Sequence, residues 1–472
     1  MTKLFNDKGF WKNALRLATP IAFQNMLISS FTLADTLFVS TLGDVSLSAV
    51  GMIGQWGWLL NMILYGICSG ASVFVAQYWG IKNIKKINMT CGIAVTSAIG
   101  VASIFTIFSA LSPETVVKIF NSEPLVIAEG STYLLWVCSS YLAVAITNVL
   151  SAVLRSTENV NLPMYVSLIT TILNIFLDYS MIFGKFGFTA MKIKGAALAT
   201  AISAWVGVFL IIIISIFQKN ILIAPIKNTF GFKWNNIRKF YRKALPVIIN
   251  ESLWGTGTFA FNIIFGHTGY ENFAALTILR TFENLAFVFF IGICNACCIM
   301  VGKSVGKGKI ERGILDSKRF LIITPIFAAF ISLIVFIFRP QLIGLFNLSN
   351  TISPATLKTA MQIMAIYCFE FTIRQIPYVL VVGVFRSGGD TKKGLKYDLL
   401  SLWLMSLPAT FIAVYILKLP FVVDFAIMYI FEDYLKTFLC IKHYRSLKWI
   451  KPVTKEGQKG LEEYMNSKKI EE

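Results

Sequence analysis

Charge is scarce in this chain. Only 14% of its 472 residues are Asp, Glu, Lys or Arg, against about 25% in an ordinary soluble protein. Acids are the scarcer sign, 24 against 43 bases, and histidine is nearly missing, with His267 and His443 its two examples. So little charge excludes a water-soluble surface for a chain of this length. Two histidines far apart in sequence give little to build a histidine-centred metal or catalytic cluster from. The first residues, Met1 to Asn13, lack an apolar core ending in a small-residue cleavage site, so targeting is expected to fall to the first hydrophobic helix. What is present in excess is apolar: 56% hydrophobic residues, 14% aromatic, and a mean hydropathy of +0.69. The formal charge of +19 raises the question of nucleic acid, and this hydropathy excludes that partner.

Residues 45–81, 87–113, 130–154, 195–218, 320–338 and 399–417 contain no charged side chain. Each reaches the roughly 18–20 residues that cross about 30 Å of hydrocarbon as a helix. Extended through isolated ionisable residues, these runs predict an all-α integral membrane protein. Its twelve transmembrane helices fall near 14–38, 46–79, 88–112, 130–154, 160–184, 195–217, 243–266, 270–303, 318–338, 356–386, 395–417 and 419–441. With the N-terminus in the cytoplasm, 33 of the 43 Lys and Arg fall on the cytoplasmic side and 7 outside; Arg280, Arg374 and Lys436 lie within spans. The positive-inside rule then puts both termini in the cytoplasm; a bacterial cell membrane and a monomeric state are separate expectations.

The expected organisation is an N-terminal six-helix bundle at 1–217, a basic cytoplasmic linker at 218–242, a C-terminal six-helix bundle at 243–443 and a charged cytoplasmic tail at 444–472. The linker interleaves Lys219, Lys227, Lys233, Arg238, Lys239 and Arg242 with Ile, Phe and Trp234. It reads equally well as an interfacial helix on anionic lipid or as a connector. The tail from Lys451 reads as charged and solvated.

The halves repeat. At a shift of 226 residues Pro20 falls on Pro246, Gly43 on Gly269, Ala49 on Ala275, Gly66-Ile67-Cys68 on Gly292-Ile293-Cys294, and Gly80 on Gly306. At a shift of 231, Arg155-Ser156 meets Arg386-Ser387. An even number of helices per half makes the repeat parallel, about an axis along the membrane normal. Positions shared by both halves read as architecture, and ionisable positions that differ read as function.

Charged side chains at bilayer depth are expensive, so each needs a partner or a wet cavity. Asp35, Asp178, Glu251, Glu283, Glu370, Glu432 and Asp433 lie within predicted spans, against Arg280, Arg374 and Lys436, which leaves the interior formally at −4. Helical spacing lets Glu370 meet Arg374, Arg280 meet Glu283, and Glu432 or Asp433 meet Lys436. Asp35, Asp178 and Glu251 have no base within a turn or two. Asn174 shares a helix face with Asp178, while the repeat counterparts of Asp35, Asn174 and Asp178 are the apolar Phe261, Met405 and Ala409. Two carboxylates and an amide oxygen suit a hard monovalent cation, or a proton-exchanging pair. Glu251, whose counterpart is Asn25, is a candidate second acidic site.

These residues resemble the multidrug and toxic compound extrusion (MATE) family. The resemblance rests on Pro20-Ile-Ala-Phe-Gln24, Leu33-Ala-Asp35-Thr36, Leu42-Gly43, Leu154-Arg155-Ser156-Thr157, Asn161-Leu-Pro163, Leu173-Asn174-Ile175, Leu177-Asp178 and Gly195-Ala-Ala-Leu-Ala-Thr200, and runs from about residue 14 to Trp449. It implies two six-helix bundles, efflux of amphipathic, mainly cationic organic compounds, and coupling to Na⁺ or H⁺. It also implies an N-lobe cation site at Asp35, Asn174, Asp178 and Thr200, with Glu251 resembling an acid that some members use. Glu158 stands where a glycine is common. Arg280 and Arg374, with Glu283 and Glu370, form a C-lobe network whose positive charge departs from a simple cation site.

Other motifs carry less. Cys294-x-x-Cys297-Cys298 lies in an apolar run and reads as small buried hydrophobes. Gly302-Lys303-Ser304-Val305-Gly306 matches a nucleophile elbow by letter and ends like a Walker A loop. It follows a membrane helix, however, and position 297 is Cys. Without an ATP site the energy must come from an ion gradient, and Na⁺ or H⁺ is the one small partner the reading needs besides substrate and lipid. A flippase for lipid-linked saccharides would call for a more basic cavity. A membrane-embedded lipid enzyme would call for a clustered nucleophile, base or metal set.

Overall fold

The computed structural model describes residues 6–344, 346 and 352–471. Every regular element among them is helical. The first six spans are α1 (Lys8–Ser40), α2 (Asp44–Gly80), α3 (Ile84–Leu111), α4, α5 (Asn161–Phe183) and α6 (Ile193–Phe217). Here α4 is a pair, Pro124–Val137 and Ser140–Ser156, bent by 49°. The second six are α7 (Trp234–Gly266), α8 (Tyr270–Gly306), α9 (Ile310–Gly344), α10 (Pro354–Gly388), α11 (Thr391–Leu417) and α12 (421–445). Among the described residues nine of these are long and apolar enough to cross a membrane, and α4 makes ten. The other two carry the charge: α7 opens with Arg238, Lys239, Arg242 and Lys243, and α12 holds Asp424, Glu432, Asp433 and Lys436.

The repeat has a physical basis at its turns. Gly43 and Gly269 precede α2 and α8 with φ of 103° and 110°, a region that side chains with a Cβ avoid. The ends of α4 and α10 match as well. Asn159 N donates to the Leu154 carbonyl at 2.9 Å, and Asp390 N to the Phe385 carbonyl at 2.8 Å. At the left-handed position of this cap stand Glu158 (φ 66°) and Gly389 (φ 89°). Glu158 thus takes a glycine's conformation, at a strain of roughly 1–2 kcal/mol, and its carboxylate accepts from Trp79 Nε1 at 3.0 Å.

Two compact units divide the chain, Phe23–Ile248 and Met1–Ala22 with Ile249–Glu472. The division departs from the expected bundles at their edges, because α1 and α7 each belong to both units. The close-packing glycines explain this. A Cβ on Gly66 of α2 would lie 2.6 Å from Cα of Ile248, the last α7 residue of its unit. At the matching Gly292 of α8 it would lie 2.7 Å from the Ala18 carbonyl oxygen and 3.1 Å from the Ala22 Cβ. In each unit a glycine on the second helix of a half admits the N-terminal part of the other half's first helix.

Two expectations are corrected. The linker ends earlier than the expected 218–242 and is partly helical. A short helix Ile226–Phe230 packs on α3, where the Thr229 carbonyl fills the space over Gly92, and α7 already begins at Trp234. The tail is not simply solvated. It carries a helix α13 (Lys455–Glu471) and is docked on its unit. Trp449 is fully buried and packs over Gly388, the Thr454 hydroxyl donates to the Gly306 carbonyl at 2.7 Å, and Gly460 meets Gly308 backbone to backbone. The sequence missed this because the docking uses glycines, one tryptophan and backbone groups, with no apolar run to announce it.

Among the described residues only the second half has π-helical stretches. They are Val379–Phe385 in α10, Leu399–Ser406 and Ile412–Leu417 in α11, and Ile430–Tyr434 in α12. Such turns are rare and collect at functional or strained positions.

Candidate functional site

The site grows from two parallel helices of the N-terminal half. Gln24 of α1 donates through Nε2 to Ser167 Oγ of α5 at 3.1 Å. Higher up, Phe38 packs on Tyr179 and Phe183, with ring centroids 6.4 and 6.2 Å apart. Between these contacts both helices advance by the same amount: Asp35 follows Gln24, and Asp178 follows Ser167, by about three turns. Equal whole turns bring the two carboxylates to one level on facing sides. The Asp35 charge acts on Asp178, and both acids act on Tyr133 of α4, which neighbours Thr200 of α6. Asn174, one turn before Asp178, is fully buried, as is Asp178 itself.

These polar atoms have no protein partner. Asp35 Oδ1, both carboxylate oxygens of Asp178, both amide atoms of Asn174 and Thr200 Oγ1 are buried without a hydrogen bond. Leaving one buried polar group unmade costs about 1–3 kcal/mol, and more for a charge. Several together in one place fit a site whose partner comes and goes. The donors are hard oxygens, the set for a small monovalent cation or a proton and unsuited to a soft metal. Tyr133 is the member that sequence reasoning did not nominate; it sits in an uncharged run, where nothing sets it apart from lipid-facing aromatics.

A sequence profile of the MatE family matches residues 20–180 and 246–412, one copy in each half. The chain belongs to the MatE family. Among its relatives is "Probable multidrug resistance protein NorM" of Thermotoga maritima, 30% identical over 404 residues and 85% of each chain. "Uncharacterized transporter YisQ" of Bacillus subtilis is 24% identical, over 94% of this chain and 96% of its own. Among solved structures, a MOP superfamily transporter from Pyrococcus furiosus superimposes with a TM-score of 0.83 at 18% identity, covering 93% of this chain and 96% of its own. The Vibrio cholerae MATE transporter VcmN, in its bent form, matches with a TM-score of 0.83, also at 18%, over 94% and 99%. At such identity the structures establish the twelve-helix, two-lobe fold, and the family makes the chain a transporter and not an enzyme.

The second half of this MatE chain treats its buried charges differently. Glu251 of α7 is paired with Arg386 at the end of α10, with Nη2 and Oε1 2.5 Å apart. Its partner is thus a base of its own half. Three expected helix-face pairs are corrected. Among the described residues Glu370 forms no ion pair with Arg374, nor Arg280 with Glu283; Glu370 instead accepts from the Tyr434 hydroxyl at 3.3 Å. Arg374 lies over the Tyr429 ring, 5.2 Å from its centroid, in the field of Asp433, Glu432 and Glu283. Lys436 pairs with neither Glu432 nor Asp433 but with Asp398 at the start of α11. The network of Arg280, Glu283, Glu370 and Arg374 is therefore wider than expected, and it is organised between helices and not along them. Asp398 and Asp424, inside the predicted spans 395–417 and 419–441, are interior acids that the sequence reading did not count.

Proposed function

We propose that this MatE transporter is a multidrug efflux antiporter. It exports amphipathic, mainly cationic organic compounds across the cell membrane, with both termini in the cytoplasm, in exchange for Na⁺ or H⁺. The relatives named multidrug resistance proteins support the cargo class. So do the buried carboxylates of Asp35 and Asp178, which favour cations over anions. The observation that carries the coupling is the set of partnerless buried oxygens on Asp35, Asn174, Asp178 and Thr200.

The chemistry follows from the cost of those carboxylates. Two acids at one level in a poorly solvated interior repel one another, so a proton or a cation shared between them is strongly favoured. An ion arriving from outside draws α1 toward α5 and neutralises the charge that holds a cationic substrate. The substrate then leaves, and loss of the ion to the cytoplasm restores the charge. Affinity for one cation thus excludes the other, which is the thermodynamic content of antiport.

Dye efflux from proteoliposomes under an imposed Na⁺ gradient, and then under an imposed pH gradient, tests this reading. One of the two gradients should drive export, and Asp35→Asn should abolish it. Full efflux by Asp35→Asn would overturn the coupling.

A further inference from the structure

The two helices that belong to both compact units carry the same device at the same place. α1 passes from one unit to the other at Ala22–Phe23, just beyond Pro20, and α7 at Ile248–Ile249, just beyond Pro246. Each proline removes the backbone hydrogen bond to the carbonyl four residues back, at Arg16 or Arg242, and leaves a point that bends readily. These two points are the only covalent connections between the units, so any motion of one unit against the other passes through them.

Immediately past each of them an arginine takes hold of the shared helix. Arg155 Nη1, from the end of α4, donates to Gln24 Oε1 at 3.0 Å. Arg386 Nη2, from α10, donates to Glu251 Oε1 at 2.5 Å. The arginines coincide under the 231-residue repeat, and their anchors differ by one position under the 226-residue repeat. In the first half the contact continues. Gln24 also donates to Ser167, which sets α1 against α5 at the register that brings Asp35 level with Asp178. One half uses an amide as the anchor and the other a carboxylate, and a guanidinium donates to either oxygen.

We infer that Arg155 and Arg386 are matched positioning residues of the transport cycle. Each fixes the membrane part of a shared helix to its own unit while the proline lets the N-terminal part turn. Glu251 is the anchor of Arg386 and not a second coupling acid. The pin on α1 acts through the acidic pair and rests on the coupling read above; the pin on α7 does not.

The experiment puts the first half's amide anchor into the second half. In proteoliposome dye efflux at equal abundance in the membrane, Glu251→Gln should stay within about threefold of wild type with an unchanged pH profile, because it keeps an oxygen for Arg386. Removing a pin should lower efflux about ten- to a hundredfold at equal abundance in the membrane. The variants for this are Gln24→Leu and the double Glu251→Gln, Arg386→Gln, which leaves no uncompensated charge to unfold the chain. A Glu251→Gln variant that loses efflux or shifts the pH profile overturns the inference, as does full efflux by the double variant. Asp35→Asn, measured alongside, separates the two readings: retained efflux there sinks the coupling pair and leaves the α7 pin standing on its own variants.

Discussion

In the N-terminal half Asp35 and Asp178 lie buried at one level with no base beside them. In the C-terminal half Glu251 is held by Arg386, Asp398 by Lys436, and Arg374 stands among Glu283, Glu432 and Asp433. The two halves share glycine turns, helix caps and close-packing faces, so the scaffold does not explain the difference. A carboxylate inside a membrane is tolerable with a permanent partner or with an exchangeable one. The second half has taken the first solution at Glu251 and Asp398, while single carboxylate oxygens of Glu370, Asp424 and Asp433 stay unmatched there. The first half has no π turn among its described residues and leaves the position open. Duplication thus supplied two equivalent frames, and the charge that differs between them marks where an ion can be gained and lost.

The comparison breaks most easily at the acids. Asp178→Asn should cut gradient-driven efflux about a hundredfold or more, the scale of losing a group that must itself carry the proton or ion. Glu370→Gln in the second half should leave efflux near wild type, since its carboxylate already accepts from Tyr434. Initial rates of dye export at matched protein abundance check both. Equal losses would mean that buried acids matter alike in the two halves. Next in size is the permanent partner. Lys436→Met strands Asp398 as a buried unpaired charge and should destabilise the protein by about 3–5 kcal/mol. Lys436→Met with Asp398→Asn should recover most of that. Thermal unfolding in detergent reads the pair, and an equally unstable double variant would deny that the ion pair is what matters.

Much of this was legible in the sequence, for identifiable reasons. Twelve spans follow from uncharged runs, because the bilayer imposes a length and a composition together. Asp35, Asn174 and Asp178 could be singled out because their repeat counterparts are apolar, which made one half a control for the other. Thr200 came only with the family resemblance. The partners of the second half's charges were not legible. Local spacing proposed Lys436 with Glu432 or Asp433, whereas its acid comes from another helix. Nothing in sequence relates Glu251 to Arg386 at such separation except the repeat, and that relation appears only once the Arg155–Gln24 contact is seen. The docked tail and the early start of α7 were hidden because contacts through glycine and backbone leave no hydropathy signal.

The smallest expected effect sharpens the comparison at the N-terminal ends of the shared helices. The start of α1 is anchored by charge: Asp7 lies 2.8 Å from Arg312 and 3.0 Å from Arg319. The Phe10 amide, ahead of burial (which works against ionisation) and of the two guanidiniums, holds the Asp7 carboxyl at about 2, below its ordinary 3.8. The start of α7 is anchored by neutral groups, with Tyr241 donating to Ser97 at 2.8 Å and Phe240 stacked on Phe74 at 5.9 Å. A depressed carboxyl contributes stability that is complete above its unfolded pKa and is lost as pH falls toward the folded one. Asp7→Asn should therefore cost about 1 kcal/mol near neutral pH, after discounting for the solvent around Arg312. The gap from wild type should close between pH 4 and 2. Tyr241→Phe should cost about 1 kcal/mol with no such pH dependence, because nothing in its contact titrates there. Melting curves of both variants at pH 6, 4 and 3 decide the matter. A pH-independent gap for Asp7→Asn would show that its backbone cap, and not its charge, holds the end of α1.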